Sequence, residues 1–418
     1  MRMNAVNMDE LRAGISAFAA RGLRLDMSRG KPDAAQLDLS LPMLEMKDGF
    51  LSEDGADTRN YGDPLGIPEA RRLFGQLLGA PASQVIVGGN SSINLIHDAL
   101  TRAIINGPLE GDLPWSRVDG VKILCPVPGY DWHFSICATL GLKAVPVTTR
   151  EDGPDMDEVE SLARDPAVKG MICVPMYGNP SGITYSDAVV ERLAGMKTAA
   201  PDFRIIWDNA YCVHHLYPDE ARRDHLKNMY DACAAAGHEN RVLMFTSTSK
   251  ITFAGGGVSA MAASPENIAR QAALMTYQLV CYDKVNQLRH ARFLPDMAAV
   301  EAHMAKHAAI IRPKFEYVLG VMERELSGIA TWSRPRGGYF ICFRAPKGCA
   351  KRIVALCAEA GVTLTPAGSP FPGGYDPDDS VIRIAPTYPP MEELKQVMEL
   401  FPMAVKLAAA EKARRENG

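Results

Sequence analysis

The sequence lacks four features that define large classes of protein: a C-x-x-C pair, a long apolar run, an excess of basic charge and an internal repeat. Without C-x-x-C spacing, the nine cysteines are an odd set, several of them inside apolar runs. They read as reduced, buried small hydrophobes of a cytosolic protein rather than as a disulfide framework or a zinc site. No stretch reaches the roughly 18 apolar residues that a membrane span needs. Arg2 is followed by no apolar segment, so no secretory signal is expected and the cytoplasm is the expected location. A net charge of −4 argues against general nucleic-acid binding through a basic surface. Low-complexity tracts are absent, and the charged tail from Glu411 to Gly418 is expected to fray.

What is present is a recurring pattern. With 418 residues and 47% apolar content, the chain can bury one large core and a smaller second one. Short apolar runs alternate with helical spacing, the pattern of a mostly parallel α/β sheet flanked by helices. Val85-Ile86-Val87 leads through Gly88-Gly89 into Asn90-Ser91-Ser92 and a helix with Ile93, Ile96, Leu100 and Ile104 on one face. A glycine turn before a helix N-terminus makes an anion cup, because free N–H groups and the positive end of the helix dipole converge there. The same residues also suit a plain N-cap.

Four further runs end in polar residues. Residues 121–124 deliver Pro128-Gly129-Tyr130, and residues 170–174 deliver Asn179-Pro180-Ser181-Gly182. Residues 204–207 deliver Asp208, and residues 241–245 deliver Ser247-Thr248-Ser249-Lys250, followed by Gly255-Gly256-Gly257. Each has an ordinary explanation alone: a turn asparagine, a core tyrosine, a capping aspartate, a surface lysine. Their shared placement does not, since the carboxyl ends of parallel strands lie on one sheet edge, where open α/β sheets bind ligands. A lysine at that edge, once its amine is partly deprotonated by its surroundings, forms an imine with a carbonyl.

Elsewhere the signals are weaker. Residues 9–21 read as a helix closed by Gly22, and residues 28–33 as a positively charged crossing. Residues 59–66 form a turn-rich loop with one phenol, Tyr61. From about residue 285 the spacing is helical. His303 and His307 lie i, i+4 near Glu301, but without H-E-x-x-H a solvated helix face is expected rather than a metal site. His214-His215 likewise lacks a third ligand. Residues 349–360 read as a helix and 380–385 as a short strand, with a Gly/Pro-rich loop of flap length at 365–379. Arg383 stands between Ile382 and Ile384. If it points inward, it needs a carboxylate, supplied by the protein or by a substrate; if outward, it meets solvent.

Taken in order, Gly89-Asn90-Ser91, Tyr130, Asn179-Pro180-Ser181-Gly182, Asp208-x-x-Tyr211, Ser247-x-x-Lys250 and Arg383 resemble the fold-type I, pyridoxal-phosphate-dependent class I aminotransferases. The wording at 59–66, 128–130 and 287–290 is most similar to bacterial type Ic aspartate aminotransferases. The resemblance runs from Ser28 to Arg383. It implies a large cofactor-binding domain at 50–300, a small domain formed by both chain ends at 1–49 and 301–418, and a homodimer with shared active sites. It also implies roles. Lys250 would bond the cofactor and shuttle a proton, Asp208 would keep the pyridine nitrogen protonated, and Tyr211 and Asn179 would contact the ring's 3-oxygen. Tyr130 would stack on the ring; Gly89, Asn90, Ser91 and Ser247 would hold the phosphate, with Tyr61 entering from the second subunit. Gly30, Asn179 and Arg383 would receive the substrate, Arg383 by its α-carboxylate.

The implied activity is ping-pong transamination between aspartate and 2-oxoglutarate, with no metal. Alternatives are a same-fold aminotransferase for aromatic or other amino acids, a pyridoxal-phosphate lyase, or a non-catalytic ligand sensor. One position departs from the pattern. The arginine that many members carry eight residues beyond the lysine is Val258 here, so the phosphate needs another cation or backbone N–H groups, and an amide nest at 255–257 is expected to serve. Arg289, Arg292, Arg29 and Lys31 are the candidates for a substrate's side-chain carboxylate.

Overall fold

The β-branched runs form the strands of the expected α/β fold in the computed structural model, which describes residues 7–417. In chain order the strands are β1 (Leu25–Asp26), β2 (Val85–Val87), β3 (Lys122–Val127), β4 (Lys143–Arg150), β5 (Gly153–Pro154), β6 (Val168–Cys173) and β7 (Arg204–Asp208). Then follow β8 (Val242–Ser247), β9 (Ser259–Ala263), β10 (Thr331–Trp332), β11 (Ile341–Arg344), β12 (Val362–Thr363) and β13 (Val381–Ile384). The main sheet has the order β2-β9-β8-β7-β6-β3-β4-β5. From β8 to β4 every neighbouring pair is parallel, whereas β9 runs antiparallel to both its neighbours and β5 antiparallel to β4.

The central strands are buried on both faces, as parallel sheets covered by helices require. Alternation then sorts their side chains. Ile123, Ile172, Ile206, Leu243 and Phe245 pack with Leu95, Ile96 and Leu100 of the helix Ser92–Asn106. Leu124, Met171, Ile205, Trp207 and Met244 pack on the opposite face with Leu73 and Phe74 of the helix Pro68–Leu78. Strand β9 is not anticipated by the sequence pattern. Its residues, Ser-Ala-Met-Ala-Ala, are small and weak in strand propensity, and only their fit between β2 and β8 makes them one.

A second core gathers both ends of the chain. β10, β11 and β13 form an antiparallel sheet, and β1 pairs in parallel with β12. Ile15 and Phe18 of the helix Met8–Ala19 share this core with Leu400 and Phe401 of the helix Met391–Asn417. The tail therefore does not fray as expected over its described residues. Glu411 accepts from Arg12 and Arg352, which fixes it to two other helices; Gly418 lies outside the described residues. His303 and His307 also correct their expectation. Both are buried in the helix Met297–Leu326, under residues 34–45, and no cluster suited to a metal exists among the described residues. An i, i+4 polar pair can be buried when its nitrogens find partners, as His307 Nδ1, His307 Nε2 and His303 Nε2 do here. No described helix is long and apolar enough to cross a membrane.

Candidate active site

A cavity of about 620 Å³ opens at the carboxyl edge of the main sheet, with a floor of strand-end residues and a wall from the chain's two ends. Asp208 closes β7 and is 2% exposed. Its Oδ2 lies 3.0 Å from His133 Nε2, while its Oδ1 is buried without a hydrogen-bond partner among the described residues. Lys250 follows β8 by three residues, and its Nζ lies 5.2 Å from the centre of the Tyr211 ring. Burial holds the Lys250 amine below the ordinary lysine range, with Asp208 pulling the other way. Burial likewise pushes the phenols of Tyr211 and Tyr130 above their usual range. Asn179 is buried beside them on the same cavity.

The backbone carrying Lys250 is held from several sides. Tyr339 Oη donates to the Lys250 carbonyl at 3.4 Å, and His303 Nε2 lies 2.7 Å from the Ile251 carbonyl. Thr248 Oγ1 accepts from the Val258 amide at 2.9 Å, and Thr252 Oγ1 meets His290 Nε2 at 2.8 Å. Burial lowers the pKa of His290 and His307 to about 4 and that of His214 to about 3, so all three are neutral; the His214 ring has no hydrogen-bond partner among the described residues and packs edge-on against Tyr211 and Tyr339.

At one end the floor becomes a cup of hydroxyls. Ser91 is the N-cap of the helix Ser92–Asn106 but makes no side-chain cap bond, so its hydroxyl is not spent on the first turn, where the Asn94 amide turns back to the Ser91 carbonyl at 3.2 Å. Ser247 Oγ donates to Ser249 Oγ at 3.1 Å, which donates to the Asn90 carbonyl at 2.7 Å. Asn90, Ser91 and Ser247 line the cavity; Gly89 sits just behind, its carbonyl accepting from the Ser259 amide at 2.6 Å. Val258 is 2% exposed in the core and does not line the cavity. The expected nest is not formed: none of Gly255, Gly256 and Gly257 adopts the left-handed backbone that a nest alternates with. Gly257 is needed for room, since a Cβ there would lie 3.0 to 3.2 Å from the Phe253 carbonyl, the Ser249 amide and the Asn90 carbonyl.

The wall holds Arg383, whose side chain is 11% exposed and therefore points inward. Its Nη1 donates to Asp131 Oδ1 at 3.1 Å and Asn179 Oδ1 at 3.4 Å, and its Nε to Thr365 Oγ1 at 3.4 Å. Its guanidinium lies 5.0 Å from the centre of the Phe340 ring. Gly30 faces that ring so closely that a Cβ would fall 2.0 Å from it. Arg29 and Lys31 also line the cavity. Arg289 and Arg292 do not; Arg292 is spent on the carbonyls of Asp48, Gly49 and Leu51. Tyr61 is 79% exposed and lies outside its own chain's cavity. The loop at 365–379 contributes Thr365 and Pro366 and is tied down by Asp376, which accepts from the amides of Ser380 and Val381.

Sequence reasoning missed His133, Asp131, Phe340 and Ser249. His133 had a signal, lying three residues past Tyr130 and so in the first turn of the helix Asp131–Thr139. Asp131 and Phe340 had none, because their roles depend on Arg383 arriving from far along the chain.

The donor set fits pyridoxal phosphate. The unpartnered Asp208 Oδ1 is an acceptor awaiting a protonated ring nitrogen, and the uncapped serine cup suits a phosphate at a helix N-terminus. Comparison with known proteins points the same way. The aspartate amino-transferase family model matches residues 3–417. A Corynebacterium glutamicum aspartate aminotransferase is 43% identical over 410 residues, 96% of this chain and 94% of that one. A Mycolicibacterium smegmatis chain is 46% identical over 399 residues, covering 94% and 92%. The crystal structure of an aspartate transaminase from C. glutamicum matches with a TM-score of 0.94 at 43% identity, covering 97% of this chain and 96% of that one. In sequence and in fold, then, the chain belongs to the aspartate amino-transferase family and is a pyridoxal-phosphate-dependent aminotransferase of fold type I.

Proposed function

We propose that this aminotransferase passes the amino group of aspartate to 2-oxoglutarate by a ping-pong mechanism. The observation that carries the reading is that the cavity lined by the inward Arg383 is also lined by Arg29 and Lys31 on the 28–31 turn. Arg29 Nε lies 3.9 Å from Asp26 Oδ2 and Lys31 Nζ 4.1 Å from the centre of the Tyr388 ring, and both are exposed cations that a second carboxylate can recruit. A dicarboxylate uses two such cationic contacts and a monocarboxylate only one. The C. glutamicum relative that shares 43% identity is an aspartate aminotransferase, which supports the same substrate.

Pyridoxal phosphate, when bound, supplies the electron sink. Lys250, its amine held below the ordinary lysine range by burial, would bond the cofactor and move the proton at the substrate Cα. Asp208 would accept the ring N–H through its unpartnered Oδ1 and keep that nitrogen protonated, because an adjacent anion stabilises the cation. Tyr211 and the Nδ2 of Asn179 would donate to the 3-oxygen, since Asn179 Oδ1 already faces Arg383. Tyr130 would cover one ring face. Gly89, Asn90, Ser91 and Ser247 would hold the phosphate through hydroxyls and N–H groups rather than through the arginine replaced by Val258. Gly30 and Arg383 receive the α-carboxylate. The protein works in the cytoplasm as a homodimer, exposed Tyr61 reaching the second copy's cavity, with residues 1–49 and 301–418 closing as a small domain on residues 50–300.

The visible spectrum tests this. Protein supplied with pyridoxal phosphate gains a visible band that aspartate bleaches and 2-oxoglutarate restores. Lys250→Ala loses roughly a thousandfold or more in turnover. Colourless protein, or a normally active Lys250→Ala, overturns the reading. A response to aromatic amino acids but not to aspartate reassigns the substrate.

A further inference from the structure

Asp131 has no part in the chemistry above, yet it is the carboxylate found on Arg383. It is the first residue of the helix Asp131–Thr139. Among the described residues its one side-chain hydrogen bond is that from Arg383 Nη1, at 3.1 Å, with 32% of the side chain exposed against 11% for the arginine. The contact engages a single guanidinium nitrogen. Nε is turned to Thr365, and Nη2 has no hydrogen-bond partner among the described residues.

We propose that Asp131 is an internal stand-in for the substrate's α-carboxylate, holding Arg383 until a substrate carboxylate displaces it. The proposal rests on the reading of Arg383 as the α-carboxylate clamp. Two carboxylates on one guanidinium repel each other, and the bidentate arrangement that a free carboxylate can reach is stronger than the one-nitrogen contact seen here. Displacement follows, with a penalty: only the fraction of molecules in which Asp131 has released the arginine is competent to bind, so the apparent affinity for every carboxylate is lowered by that fraction. The penalty is the same for all ligands and sets a threshold. A ligand with a single carboxylate meets it with Arg383 alone, whereas a dicarboxylate adds a contact to Arg29 or Lys31. Asp131 thus makes the second contact necessary for useful occupancy while keeping the unliganded guanidinium from being a buried, unpaired charge.

The test is calorimetric titration of the holoenzyme with succinate, an unreactive dicarboxylate, with propionate measured by displacement of succinate. Asp131→Asn removes the charge and keeps the shape. It is expected to tighten both ligands by the same factor, roughly two- to fivefold for a partly exposed pair. Asp131→Glu keeps the charge and stays close to wild type. In steady state the Asp131→Asn gain appears in KM for aspartate rather than in kcat. Succinate binding that is unchanged or weaker in Asp131→Asn overturns the proposal, because Asp131 would then only orient Arg383; Asp131→Ser makes the same distinction should the asparagine variant not fold. Arg383→Ala separates the two readings. If it abolishes succinate binding, the clamp stands whatever Asp131 does. If it leaves binding intact, the clamp assignment fails and the stand-in with it.

Discussion

Asp208 and Arg383 face one cavity, but they reach it by different means. Asp208 is the last residue of β7, and because the parallel strand is buried on both faces its polarity alone carries that carboxylate to the ligand-binding edge. Arg383 is the third residue of β13 and is aimed by Asp131, Asn179 and Thr365, the first of them 252 residues away. The floor is thus placed by local structure and the wall by long-range contacts. Chemistry that tolerates no displacement sits on the floor; recognition, which must admit and release a ligand, sits on the wall.

Changes on each side should break this contrast in different ways. The largest effect is expected from Asp208→Asn, which removes charge from the floor and keeps its shape. Turnover should fall roughly a hundred- to a thousandfold, by analogy with the loss of one preorganised electrostatic group, while succinate binding stays near wild type. Equal losses in both would mean that floor and wall are not separable. Gly30→Ala is the wall counterpart. Its Cβ would strike Phe340, which lies under the guanidinium, so succinate should bind roughly tenfold more weakly, a typical overpacking penalty, with a smaller effect on kcat. Unchanged titration would show that the wall yields more easily than its packing implies.

The smallest effect concerns pH and belongs to the buried histidines near Lys250. His214, His290 and His307 have folded pKa values of about 3, 4 and 4, below the 6.5 of an unconstrained histidine, because burial disfavours their charged form. The unfolded chain therefore binds more protons than the folded one between about pH 6.5 and 4. Their contribution is complete above pH 6.5 and is lost as pH falls toward 4, each histidine adding a slope of up to about 1.4 kcal/mol per pH unit. Thermal melts from pH 7.5 to 4.5 should show the decline, and His307→Gln should flatten it. A midpoint independent of pH in this window would show that these histidines are already charged.

The same contrast explains what could be read from the sequence. Asp208, Ser247, Lys250, Asn90 and Tyr130 were legible because each follows a short apolar run, and strand polarity alone places them together. The direction of Arg383 was not, because alternation allows both faces and only long-range contacts with Asp131, Asn179 and Thr365 go with one. The burial of His303 and His307 was hidden for a related reason: the residues that cover them, Gln36 and Ser40, lie more than 260 positions earlier. Strand β9 was missed because its residues carry little pattern of their own.

The packing of the helix Met8–Ala19 on the helix Met391–Asn417 has a consequence for biogenesis. Arg12 meets Glu411, Arg21 meets Glu399, and Gly14 lies against Met403, so the first helix has its partner only when the last one exists. About 370 residues separate them. At a synthesis rate of about 5–20 residues per second, an apolar helical face waits roughly 20–70 s on the ribosome before it can be covered. The main sheet, whose strands lie between residues 85 and 263, can assemble in that interval, so the second core closes last, when the carboxyl-terminal helix is made.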